Sequence, residues 1–205
     1  MGNFGNYFVG SNSFNETNWF QPSSAWERSS LLENFDIRDY GISECINSAK
    51  EIFTPEIINN WNELSEDKRI TLILQYGDAV VNNFDLKEFK EIIIKDLGFG
   101  VYGETSGDGY IYISESLVKN DMSSPLQIID TLTHEMRHQF QMESLRGLHN
   151  IPLEIINEWR IGEAEYTNSP PYVFDPWGYK YNPLELDARY AGETVVREFT
   201  KDYRA

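Results

Sequence analysis

The sequence predicts an α+β fold, mainly helical, with a small antiparallel β-sheet beside one long helix. Three observations carry this. Capped segments with apolar residues at helical spacing lie on both sides of residues 99–114. Inside that stretch, Tyr110-Ile111-Tyr112-Ile113 alternates among four glycines, the pattern of a hairpin or strand pair. And 205 residues, 40% of them hydrophobic, suffice for one sizeable core.

The elements follow in order. Residues 1 to about 30 are rich in Asn, Ser, Gly and Phe without any period, an arm or linker remnant, which leaves 31–205 as the single domain. Thr54 before Pro55, and Ser65 before Glu66 and Asp67, are helix starts. Leu86, Phe89, Ile93 and Leu97 keep a helical period that stops at Gly98, predicting a helix over 86–97. Ser124-Pro125-Leu126-Gln127 is a capping box opening a helix that can run to Gly147. A further helix is expected around 153–163 and a proline-punctuated loop over 165–182. A last helix runs from Asn182 to about 200. Gly98-Phe99-Gly100-Val101-Tyr102-Gly103 matches a dinucleotide fingerprint but opens a strand, so it reads as turn punctuation.

Acidic residues outnumber basic ones, 33 to 17, for a net charge of −16. Nucleic acid is therefore not an expected partner, because phosphate binding needs Lys and Arg. No apolar run approaches the roughly 20 residues of a membrane span. The first 30 residues lack the basic and apolar regions of a conventional signal peptide. One cysteine, Cys45, excludes both an intrachain disulfide and a thiolate-rich metal site, and it reads as a small core residue.

One motif points to chemistry: His134-Glu135-Met136-Arg137-His138, an H-E-x-x-H. Histidines four apart on a helix share one face, so both imidazoles can reach one metal ion. The glutamate between them can then serve as general base toward a metal-activated water. On a helical wheel Ile128, Leu132, Met136 and Phe140 lie opposite Asp130, His134, His138 and Gln141, separating a core face from a polar face.

An open zinc site needs a third protein ligand. His149 follows Gly147 and reads as a surface residue. Glu185 and Asp187 fall about 80° to either side of the apolar stripe of the last helix, and Glu185 has the drier neighbours. Glu185 is equally placed to serve as N3 of an Asn182 cap, so it stands as ligand or cap, with Asp187 the alternative ligand. Tyr190, Tyr181 and Arg137 are the candidate transition-state helpers.

Residues 131–141, Glu158-Trp159-Arg160 and Asn182-Pro183-Leu184-Glu185-Leu186-Asp187-Ala188 with Tyr190-Ala191 together resemble zincin-like metallopeptidase domains of bacterial polymorphic toxins and related phage proteins. The resemblance covers about residues 60–200. It implies a zincin-like fold, zinc (Zn2+) held by His134, His138 and Glu185, Glu135 as base, and a protein or peptide substrate. It further implies a possible role as a toxin or effector domain with a cognate inhibitor or immunity protein, in the bacterial cytoplasm or exported without a conventional signal. The rival expectation is a non-catalytic acidic binding protein whose zinc site is structural or vestigial, closed by Asp187 or His149 as a fourth ligand.

Overall fold

The computed structural model describes residues 37–119, 124–168 and 181–202. The arm at 1–30 and all but the two ends of the expected 165–182 loop lie outside those residues. The order is α1 Ile42–Ile52, α2 Pro55–Asn59, α3 Glu66–Asn83, β1 Glu91–Lys95, β2 Gly103–Thr105, β3 Tyr110–Ser114, α4 Ser116–Lys119, α5 Pro125–Leu145, α6 Leu153–Asn168 and α7 Pro183–Lys201. The architecture is α+β.

The helix starts are those the caps dictate. Thr54 and Ser65 side chains accept from the N–H groups of Ile57 and Lys68. The Ser124 hydroxyl accepts from Leu126 N, and Gln127 Oε1 accepts from Ser124 N in return. Helix α5 ends in a Schellman motif: Gly147 N donates to Ser144 O and Leu148 N to Glu143 O, with Gly147 at φ 82°.

The expected helix over 86–97 is not formed. Helix α3 stops at Asn83 in a second Schellman motif, Asp85 N to Asn82 O and Leu86 N to Val81 O, with Asp85 rather than glycine at positive φ. The next two N–H groups, of Lys87 and Glu88, go to the carboxylate of Glu143 at 2.7 and 2.9 Å. Ile92, Ile93 and Ile94 then extend as β1, the conformation that β-branched side chains favour.

That strand also corrects the sheet, which is mixed rather than antiparallel. The order is β1-β3-β2, with β1 parallel to β3 (Ile92 beside Ile111) and β2 antiparallel to β3 (Thr105 beside Ile111). Ile92, Ile111 and Ile113 turn into the core, while Lys90 and Lys95 lie over the rings of Tyr110 and Tyr112. Gly98 and Gly100, at φ 85° and 80°, shape the β1–β2 connection, and Gly103 opens a strand as expected.

Helix α5 is the axis of the fold. It packs on α3, α6, α7 and the β2 and β3 strands. Between Leu132 and Gln141 only His134 keeps partial exposure. The separation into a core face and a polar face therefore underestimates burial: Thr133, Glu135, Arg137, Gln139 and Gln141 are buried too. Buried polar groups require partners, and the partners chosen by α5 define the site. Helix α7 runs antiparallel to it, with Leu184 opposite Gln141 and Gly192 against Asp130. Helix α6 is longer than expected, continuing to Asn168. Cys45 is a buried core residue, and burial pushes its thiol up to about 12, so it carries no thiolate chemistry at neutral pH.

Candidate metal centre

His134 and His138 stand one turn apart on α5, and Glu185 on α7 closes the triangle. His138 Nε2 lies 3.1 Å from His134 Nε2 and 3.2 Å from Glu185 Oε1, and His134 Nε2 lies 3.6 Å from Glu185 Oε2. Among the described residues these three form a group that could hold a metal ion. Asn182 caps α7 by accepting from Leu184 N, while the Glu185 carboxylate turns inward to the histidines. Glu185 thus stands as a member of the cluster, not as the reciprocal half of a capping box.

Glu185 is fully buried, and its Oε2 has no hydrogen-bond partner. Its Oε1 accepts from the Tyr166 hydroxyl of α6. Tyr166 escaped the sequence reading because it fell in the stretch assigned to a loop. Trp159, Gly162 and Tyr166, three and four apart, were the available signal of a longer helix with one inward face. Gly162 is where α6 meets the start of α7: a Cβ there would lie 2.7 Å from Asn182 Oδ1.

Glu135, next to His134, reaches the β2 strand. Thr105 Oγ1 of β2 lies 2.8 Å from both its Oε2 and its main-chain oxygen, close enough to donate its one proton to either. Gly103 leaves room for this side chain, since a Cβ on it would come within 2.6 Å of Glu135 Cγ. Burial pushes the Glu135 carboxyl up to about 8, against the pull of His138 and the Thr105 hydroxyl. Burial and the neighbouring His138 push His134 down to about 3. Burial alone would raise Glu185 and lower His138, but their mutual attraction prevails, holding the carboxyl low and the imidazole high.

One turn before His134, Asp130 packs against Gly192, and burial followed by the charge of Glu193 raises its carboxyl to about 7. A folded-state value above the ordinary 3.8 means stability that is complete at low pH and lost as pH rises through about 7. The metal-free protein should therefore gain roughly 1–2 kcal/mol from this group between pH 8 and pH 5, after allowance for its partial exposure. Thermal melts of Asp130→Asn should lose that part of the pH dependence; an unchanged pH profile would exclude it.

The remaining candidates are placed elsewhere. Arg137 is fully buried, where it pairs with Asp187 (Nε to Oδ2 2.8 Å, Nη2 to Oδ1 3.0 Å) and donates to the carbonyls of Ile37 and Tyr40. Asp187 is thus the partner of a buried cation, and neither it nor Arg137 belongs to the cluster of His134, His138 and Glu185 among the described residues. Tyr190 donates to Asp39 at 3.0 Å. Tyr181 is 40% exposed just before α7. His149 is not a surface residue: its Nε2 lies 3.0 Å from Glu143 Oε2 and its ring packs on Phe140. A buried carboxylate needs donors, and His149 supplies one. In comparisons with known proteins the chain matches no family model, no curated protein and no solved structure.

Proposed function

We propose that the protein is a zinc metallopeptidase of zincin type, hydrolysing peptide bonds in a protein or peptide substrate. The observation that carries this reading is the His134–His138–Glu185 cluster with the buried Glu135 carboxyl beside it on the same helix. Donors about 2.1 Å from one tetrahedral ion stand about 3.4 Å apart. The two Nε2 atoms stand 3.1 Å apart, and each lies near that distance from one of the two Glu185 oxygens, His138 at 3.2 Å from Oε1 and His134 at 3.6 Å from Oε2. Two imidazoles and a carboxylate are a donor set suited to zinc. A cation would also satisfy the orphaned Oε2 of Glu185.

Zinc bound by His134, His138 and Glu185 would act as a Lewis acid and lower the pKa of water toward 7. The chain supplies the proton chemistry. Burial raises the Glu135 carboxyl and a nearby cation would lower it again, so Glu135 can accept a proton from the attacking water and return it to the leaving amine. The hydroxyl of Thr105 and the absent side chain at Gly103 keep that carboxyl in place. A closed structural site would need a fourth protein ligand. Asp187 and His149, the two candidates for it, are engaged by Arg137 and Glu143. The bacterial toxin or effector role and a cognate inhibitor rest on the sequence resemblance alone. Among the described residues no helix is long and apolar enough to cross a membrane.

Elemental analysis of the purified protein should find about one zinc per chain, lost in His134→Ala. Glu185→Gln should weaken zinc at least roughly 100-fold in a chelator competition, because it removes a ligand charge. Equal zinc in wild type and His134→Ala would refute the site. Cleavage is tested by mapping new protein N-termini when the wild type is expressed.

A further inference from the structure

We infer that Gln141 is a positioning residue that locks His138 in the one tautomer able to bind metal, and that Asp187 and Arg137 lock Gln141 in turn. The inference rests on the metal-site reading and goes beyond it.

Hydrogen-bond valence carries the argument. Gln141 is buried, its Nε2 lying 3.0 Å from Leu184 O and 2.7 Å from Asp187 Oδ2, its Oε1 lying 2.8 Å from His138 Nδ1. A main-chain carbonyl only accepts, and so does an ionised carboxylate. The buried guanidinium of Arg137 donates to both oxygens of Asp187, so both serve as acceptors. Two acceptors at one end of the amide leave a single orientation, with the NH2 toward them and Oε1 toward His138. Turning the amide over would set its oxygen against two acceptors deep in the core. An amide oxygen also only accepts, so His138 Nδ1 must carry a proton. The neutral ring then has its lone pair on Nε2, the nitrogen that faces His134 and Glu185. Metal ligands are commonly oriented this way by whatever their other ring nitrogen donates to.

The relay begins at the turn before α1. Arg137 donates to Ile37 O at 2.7 Å, a contact spanning 100 residues of sequence. The order is therefore Ile37 carbonyl, Arg137, Asp187, Gln141, His138, each link with one permitted direction.

The test uses the whole chain and begins without metal. The protein has three histidines, so long-range 15N–1H spectra of the metal-free form can be assigned ring by ring. Expected is a slowly exchanging proton on Nδ1 of His138, whatever the state of Nε2 beside Glu185. Gln141→Met, similar in length and unable to accept strongly, should give a mixture of tautomers and 10- to 100-fold weaker zinc binding in chelator competition. Circular dichroism and a cooperative melt establish that the variant is folded. An Nδ1 of His138 without a proton in the wild type, or wild-type zinc affinity in folded Gln141→Met, overturns the inference. The wild-type tautomer decides it even if the variant does not fold. A wild type that binds no zinc overturns the metal-site reading, and the relay is then judged on the tautomer alone.

Discussion

Glu135→Gln is expected to lower peptide cleavage at least roughly 100-fold while zinc content and melting temperature stay at wild-type values. The substitution keeps size and shape and can still accept the Thr105 hydroxyl, but the amide cannot take a proton at neutral pH. Stability survives for a physical reason: burial already favours the neutral carboxyl at this position, and the amide is the neutral form made permanent. Expressing wild type and variant in parallel, and comparing the new N-termini each produces, separates this activity from the host's own proteases. Identical profiles from both would leave the cluster without a catalytic role and favour a binding protein.

Asp187→Leu is expected to cost about 3–5 kcal/mol of folding stability, because it leaves the Arg137 guanidinium buried without its counter-ion. The two carbonyls that Arg137 also reaches, of Ile37 and Tyr40, accept hydrogen bonds but carry no charge. Most of the penalty should belong to the orphaned cation. The double variant Arg137→Met with Asp187→Leu should accordingly be more stable than Asp187→Leu alone, as replacing both members of a buried pair removes the uncompensated charge. Urea unfolding of the three proteins measures this. A single variant within about 1 kcal/mol of wild type would mean that water reaches Arg137 and that the pair is a surface one.

Asp187 shows where reasoning from one helix stops. On the wheel of α7, Glu185 and Asp187 are near mirror images about the apolar stripe. Periodicity supplies an angle and leaves open what stands at that angle. The structure sets His134, His138 and Tyr166 on one side and Arg137 and Gln141 on the other. The same limit explains His149, whose turn residues indicated exposure. Glu143, two turns of α5 from the metal cluster, needed donors and drew in the imidazole and the backbone of Lys87 and Glu88.

The sequence by itself determined the capped helix starts at Thr54, Ser65, Ser124 and Asn182, the β2–β3 hairpin, the pairing of His134 with His138 and the nearness of Glu135. These depend on contacts within about four residues, where capping chemistry, alternation and the helical repeat are nearly sufficient. Only the tertiary structure decided that Ile92–Ile94 form a strand parallel to β3. It also decided that Glu185 faces the histidines while Asp187 neutralises Arg137, and that Tyr166 and Gln141 hold the two ends of the cluster. Each of these turns on a buried polar or β-branched group whose partner lies on another element. Burial without a partner is what costs free energy, so the partner, and with it the residue's role, is settled only when the elements pack.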